Sequence, residues 1–454
     1  MRAGTLPGVT PLPDLDRPSG LLRRLVGPIP PSLFAVLLGT FSLRFSTGLT
    51  GAMIVYYLAN LPKHGGPTVG PVVVGVFSAS FFAAELIMST PFGLIADRVG
   101  HRLIMQLGPI FGMLAVVVTY FTTNLVLIGG TRVLEGLSAA ASVPAILGFI
   151  AAITAGDELL RGRAAARFEG ATLAGLGLGL VAAGPVYNAL GRAGFLLNAV
   201  IYGISFLIYR YGVPQEPIQP GATRPAHPGR TRYVAILRSS SVWLLAPSWI
   251  AINAALGLWT SQSIFQLVKA PEPRFADQWL MGHFGSLTIS AGLAAGLIVF
   301  FAGLAFWGER FRTYRRTTII FYGILGGAAV VVAGAAVNHS AGLPHVVRFA
   351  EGLVVIGGLF VLAGATPAAL GMLADVSEAF PADRGAIMGL YSVFLAVGQI
   401  AGSLIGGLAA QLRGIDGILL ATLLLLGVAL VPLQRLRGVE HLLAGDLVPG
   451  GAPR

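Results

Sequence analysis

Arg132, Glu135, Arg348 and Glu351 are the residues of this 454-residue chain whose positions first call for a chemical explanation. Arg132-Val133-Leu134-Glu135-Gly136 and Arg348-Phe349-Ala350-Glu351-Gly352 carry the same pattern 216 positions apart, each inside an apolar run and each followed by leucine. A charge in the middle of a membrane helix costs roughly 2.5 kcal/mol or more, so it is kept with a partner or for a task. Arg and Glu three residues apart share one helix face. Burial favours the neutral acid while the neighbouring arginine favours the anion. A small change of geometry between two states can then load and unload a proton at Glu135. The bland alternative is an internal pair that neutralises itself and does nothing more. The second copy, Arg348 with Glu351, starts nearer the end of its segment, where a pair suits a gate.

Two further ionisable groups lie within apolar runs: the cation Arg44 (LGTFSLRFSTGL) and the acid Glu85 (FFAAELIMS). For Glu85 a structural partner and proton coupling stand as equal alternatives. There is no cysteine, so neither a disulfide nor a thiolate site exists. No Gly-rich phosphate loop is present, and His227, His283, His339, His345 and His441 are scattered, with no metal-ligand spacing. Neither a metal nor a cofactor is expected, and no gathering of nucleophile and acid/base groups marks an enzyme.

The elements that must position these groups are read from composition. The chain is 55% hydrophobic and 11% charged, with 62 glycines. Soluble domains carry about 25% charged residues, so this is an integral membrane protein. A spanning helix needs about 20 mostly apolar residues. Twelve such intervals fall at 33–61, 71–96, 103–123, 125–154, 170–190, 194–212, 242–268, 286–307, 317–337, 345–373, 386–411 and 417–433. They predict an all-α membrane protein with a six-helix bundle over 33–212 and another over 242–433. The polar, Pro-rich stretch 213–241 is a cytoplasmic linker, and 1–32 and 434–454 are cytoplasmic tails. With both termini inside, 22 of the 30 Lys and Arg residues lie on the cytoplasmic side, 5 outside and 3 within spans. That bias sets the orientation. The formal charge of +11 sits in short loops with no basic, aromatic-interleaved stripe, so nucleic acid is not a partner.

Between spans two and three stands Gly93-Leu-Ile-Ala-Asp97-Arg98-Val-Gly100-His101-Arg102. So short a link needs a tight turn, which Gly100 permits. This stretch resembles the signature loop of the major facilitator superfamily, G-x-x-x-D-R-x-G-R-[KR], with His101 where arginine is usual. The second-half counterpart is the degenerate Trp307-Gly308-Glu309-Arg310-Phe311-Arg312. Arg132 matches the family's second motif, an Arg with Gly four residues on. Gly184-Pro185 in span five resembles the antiporter motif of the family's drug exporters, although Leu180 stands where that motif has glycine. Gly398, Gly402, Gly406 and Gly407 mark span eleven as its counterpart.

The resemblance implies a major facilitator fold of twelve transmembrane helices, with the two bundles related by a pseudo-twofold axis. It implies a gating loop of Gly93, Asp97, Arg98, Gly100 and Arg102, with Glu309 and Arg310 opposite. It also implies a central cavity lined by spans one, four, seven and ten. Arg44, Arg132, Arg348, Asn253, Trp259 and Gln262 are the substrate-cavity candidates, and Arg44 is expected to meet Glu135 or an anionic substrate group. The proton-coupling candidates are Glu135, Glu85 and Glu351. The function so implied is proton-coupled export of small amphipathic, drug-like or lipid-like compounds. A monomer would do this in a cell membrane of the bacterial inner-membrane type, with the small-molecule substrate, protons and the lipid bilayer as its partners. The alternative is uptake or exchange of a polar or anionic metabolite bound by Arg44 and Arg132.

Overall fold

A computed structural model describes residues 30–154, 157–215, 242–310, 313–378 and 384–445. The expected N-terminal tail up to residue 29, the linker from 216 to 241 and the C-terminal tail from 446 lie outside them. Among the described residues the chain is helical and has no strand. In order the helices are α1 (Pro31–Ala59), α2 (Pro71–Val99), α3 (His101–Phe121), α4 (Leu125–Ile153), α5 (Glu158–Leu190) and α6 (Gly194–Gly212). They continue as α7 (Val242–Val268), α8 (Ser286–Glu309), α9 (Arg316–Asn338), α10 (His345–Leu362), α11 (Ala365–Glu378) and α12 (Arg384–Gly445).

Local chemistry accounts for the starts and stops. Proline opens α1 and α2, where its missing N–H would have no intrahelical acceptor. The Asn124 side chain accepts from Val126 and Leu127, and that of Asp157 from Leu160, each satisfying an orphan first-turn N–H. The Asp157 cap starts α5 twelve residues before its apolar run, which is why hydropathy placed span five at 170. Gly100 turns α2 into α3 with φ +98°, a conformation that side chains resist. Nine segments among the described residues are long and apolar enough to cross a membrane. Two of them, Leu160–Gly212 and Ser392–Gly438, have 53 and 47 residues, about 80 and 70 Å of helix against a hydrocarbon core of about 30 Å. Each reverses midway. Gly194 lies against Val186, and Gly417 lies against the Ala409 backbone, after a break at Arg413 and Gly414 (φ +59°). The interval expected as span ten is likewise broken, into α10 and α11.

Helices α1, α5 and α6 pack together, as do α2, α3 and α4, with α3 also on α6. On the other side α7 packs on α12, and α9 packs on α10, α11 and α12. One core runs through the first group and a separate one through the second. The groups meet through α2 on α12 and α5 on α8. We call the end where α1 stops and α2 starts the distal end, and the opposite end proximal. The cross-contacts cluster distally. Gln262, near the end of α7, donates from Nε2 to the Pro71 carbonyl at 3.0 Å, and the Gly184 N–H donates to Ser290 Oγ at 3.1 Å. Ile264, Phe265 and Ile289 join the core of the first group there.

Candidate functional site

The repeated Arg/Glu pattern yields one ion pair rather than two. On α4 the Arg132 guanidinium donates to Glu135 Oε2, and its Cζ stands 5.1 Å from the centroid of the Phe81 ring on α2. Both residues are buried, Glu135 to 1% exposure, and Glu135 Oε1 has no hydrogen-bond partner. A carboxylate held through one oxygen with the other unsatisfied keeps a free site for a proton or a water. Arg348, by contrast, turns to His345 Nδ1 at 3.2 Å and lies 5.3 Å over the Trp279 ring, and Glu351 Oε2 has no partner. Arg348 is the fourth residue of its helix, within reach of His345 and Trp279 at that end, whereas Arg132 is the eighth.

Arg44 does not pair with Glu135. It sits on α1, 9% exposed, in the electrostatic field of two carboxylates, Glu85 of α2 and Glu169 of α5. Sequence reasoning missed Glu169 because it fell just outside the apolar run. The signal that finds it is the Asp157 cap, which makes 158–190 one helix that carries Glu169 together with the α1-facing positions Gly175 and Gly179. Tyr202 on α6 was also missed. It is 1% exposed, its hydroxyl has no hydrogen-bond partner, and both Glu135 and Arg132 act on it electrostatically.

The remaining cavity candidates face elsewhere. Asn253 donates to the Trp249 carbonyl at 2.9 Å and lies against Gly398 of α12. Trp259 donates to Thr422 Oγ1 at 2.9 Å, inside the second group of helices. Gln262 is fully buried in the distal seal. A 3.6-residue period says which residues share a face but not which neighbour that face meets.

In the signature loop Asp97 lies 3.4 Å from His101 Nε2, and His101 packs against Gly148 of α4. The Arg102 guanidinium donates to the Arg210 carbonyl, tying α3 to the end of α6. Gly93 stands 3.4 Å short of Pro144 on the same α2–α4 seam, measured from where a Cβ would sit, and Arg98 is exposed. In the counterpart, Arg310 stacks on Phe306 with its Cζ 4.6 Å from the ring, beside an exposed Glu309. Gly184 and Pro185 belong to the distal seal, where a Cβ on Gly184 would run into Ser286 and Ser290 of α8. Gly184→Val is therefore expected to overpack this contact by about 1–3 kcal/mol and to unseal the distal end. Labelling of a Tyr187→Cys reporter by an impermeant maleimide should rise in that variant; an unchanged rate would remove Gly184 from the seal.

Three ligand-type groups far apart in sequence also converge at the distal end. His339 Nε2 stands 2.9 Å from Asp416 Oδ2, its Nδ1 3.6 Å from Asp277, and Asn338 donates to Asp416 at 2.8 Å. Spacing along the chain gave no sign of this cluster, because chain reversals bring it together. Its groups already satisfy one another as a tie across the end of the second helix group.

Known proteins frame this geometry. A family model described as Major Facilitator Superfamily matches residues 36–357. A triacylglyceride transporter of Mycobacteroides abscessus is 25% identical over 265 residues, 53% of this chain and 48% of that protein. The chromaffin granule amine transporter of Homo sapiens is 28% identical over 191 residues, 41% of this chain and 34% of that one. The chain thus spans half or less of these curated relatives. Among solved structures, the nucleoside transporter NupG superposes with TM-score 0.65 at 14% identity, covering 90% of this chain and 98% of that one. A bacterial homologue of the human lysosomal transporter Spinster, inward-facing and unoccupied, gives TM-score 0.66 at 12% identity, covering 93% and 100%. At such identities the solved structures speak for the fold and not for the substrate.

Proposed function

Since the chain belongs to the Major Facilitator Superfamily, and is a multi-pass membrane transporter rather than an enzyme, we propose that it is a proton-coupled exporter of small amphipathic compounds, drug-like or lipid-like. The observation that carries the reading is Glu135: buried, bonded by Arg132 through one oxygen only, with the other unsatisfied. Such a group takes up a proton without dismantling its site, and Arg132 then becomes available to a neighbour. Protonation in one state and release in the other would couple a pH gradient to the rocking of the two helix groups.

The substrate class draws support from the surroundings. Arg132 already pairs with Glu135, and Arg44 lies in the field of Glu85 and Glu169, which weakens the case for an anionic metabolite. The named relatives, a triacylglyceride transporter and an amine transporter, point to lipid-like or cationic amphipathic cargo. With the termini in the cytoplasm, as the arginine bias favours, the distal seal is the outer one, and cross-contacts clustered there support an inward-open reading. Asp97 then belongs to the latch that re-forms when the proximal end closes. Asp97→Asn is expected to slow transport while leaving membrane insertion intact, and a wild-type rate would remove the latch assignment.

The test of the proposal is purified protein in liposomes with an imposed pH gradient, challenged with cationic, neutral, anionic and lysolipid compounds. Substrate-triggered collapse of the gradient by cationic or lipid-like compounds is expected. Substrate movement with no proton movement would overturn proton coupling, and a response to anions alone would overturn the substrate class.

A further inference from the structure

A groove of about 530 Å³ opens on the second helix group between α8, α9 and α10, and none of its lining residues belongs to the first group. Trp307, Tyr322, Gly326, Val354, Gly357 and Val361 line it, and its walls are almost entirely apolar. Leu325 and Val354 on its two banks are 47% and 50% exposed. Exposed apolar banks on helices of membrane-spanning length suit hydrocarbon rather than water as the occupant. The floor is deep because Gly326 and Gly358 bring α9 and α10 close together, while a Cβ on Gly357 would meet nothing within 4 Å. A slot of this kind, open along its length to lipid, suits a flexible hydrocarbon chain.

The proximal rim supplies the polar half of a binding site. Trp307, Tyr314 and Tyr322 form a ring cluster with centroids 6.3–6.4 Å apart, and the Trp307 indole N–H donates to the Phe360 carbonyl at 3.2 Å. Aromatic groups of this kind sit where hydrocarbon meets headgroups. The cations follow at once. Arg310 lies over Phe306, whose ring is 5.4 Å from that of Trp307, and exposed Arg315 succeeds Tyr314. Neither guanidinium has an ion-pair partner among the described residues. Arg316, by contrast, is engaged with the Gly371 carbonyl of α11.

We propose that this groove binds one anionic phospholipid from the proximal leaflet, an acyl chain in the slot above Gly357 and the headgroup phosphate against Arg310 and Arg315. The charges select the lipid: a neutral or zwitterionic headgroup brings no net charge to the two cations, whereas an anionic one gains attraction near the membrane surface worth about five-fold in binding per arginine. The site is built from the second helix group alone, so it does not draw on Arg132 or Glu135 of α4.

Trp307 lines the groove and reports on it. The full-length protein would be placed in phosphatidylcholine bilayers doped with phosphatidylglycerol bearing brominated acyl chains. The signal read is tryptophan quenching, less that of Trp307→Phe. Quenching of the Trp307 component should saturate at a low mole fraction of the brominated phosphatidylglycerol, and brominated phosphatidylcholine should do far less. Gly357→Leu fills the slot and should remove the excess quenching. Val354→Phe, which fills it from the α10 bank, serves the same purpose if Gly357→Leu lowers the yield. Arg310→Gln with Arg315→Gln should bring phosphatidylglycerol down to the phosphatidylcholine level. Equal quenching by the two lipids would overturn the headgroup assignment. Excess quenching that survives both slot-filling variants would overturn the groove.

Discussion

Glu135→Gln is expected to reduce substrate-driven proton flux in liposomes by about a hundredfold or more, the scale on which a positioned proton-transfer group contributes, while substrate still binds. Glutamine keeps the shape of the side chain and one acceptor oxygen for Arg132, so the α4 site should survive structurally. It removes the titratable group that the second oxygen of Glu135, unsatisfied and buried, makes available. The measurement is twofold: dye-reported collapse of a pH gradient on substrate addition, and substrate binding to the detergent-purified variant. Loss of flux with binding retained supports Glu135 as the proton carrier. Unchanged pH dependence would exclude it and leave Glu85, which shares the field of Arg44 with Glu169, as the next group to test.

Arg132→Met is expected to be the most damaging single change to stability. Breaking a buried pair by removing one partner costs about 3–5 kcal/mol when the remaining charge is stranded. Arg132 also loses its stacking on Phe81. Adding Glu135→Gln to Arg132→Met removes the stranded carboxylate and should recover much of the loss. The coupling energy of such a cycle falls in the range of about 0.5–3 kcal/mol. Thermal unfolding of the two single variants, the double variant and the parent in one detergent measures it. Additive effects would mean that the pair contributes nothing as a pair. The corresponding cycle at Arg348 and Glu351 should be additive, because Arg348 is turned toward His345 and Trp279.

The two cycles bear on how far sequence carries. Apolar run length is a local property, imposed by bilayer thickness, and each predicted interval is mostly helical where it is described, with span ten broken between Leu362 and Ala365. The Asp97–Gly100 turn was equally legible, since two helices so close in sequence admit few linkers and Gly100 adopts the positive φ the turn demands. The Arg132–Glu135 pair was legible because three residues along a helix place two side chains on one face. Helix ends were less so: α5 begins at an Asp157 cap outside its apolar run, beyond what hydropathy detects, and Glu169 was lost with it.

What the chain determined by itself, then, was everything set by distance along it: the membrane class, the helices, the tight turn and the local ion pair, and through their motifs the family. Partners across helices were decided only by the tertiary structure. Arg44 lies in the electrostatic field of Glu85 and Glu169 rather than pairing with Glu135, Gln262 seals the distal end, and the second Arg/Glu copy stays unpaired. The reason is geometric. Helical periodicity fixes the face on which a side chain lies, but the neighbour it meets depends on the rotation, depth and tilt of packed helices, which arise from contacts summed over the whole bundle.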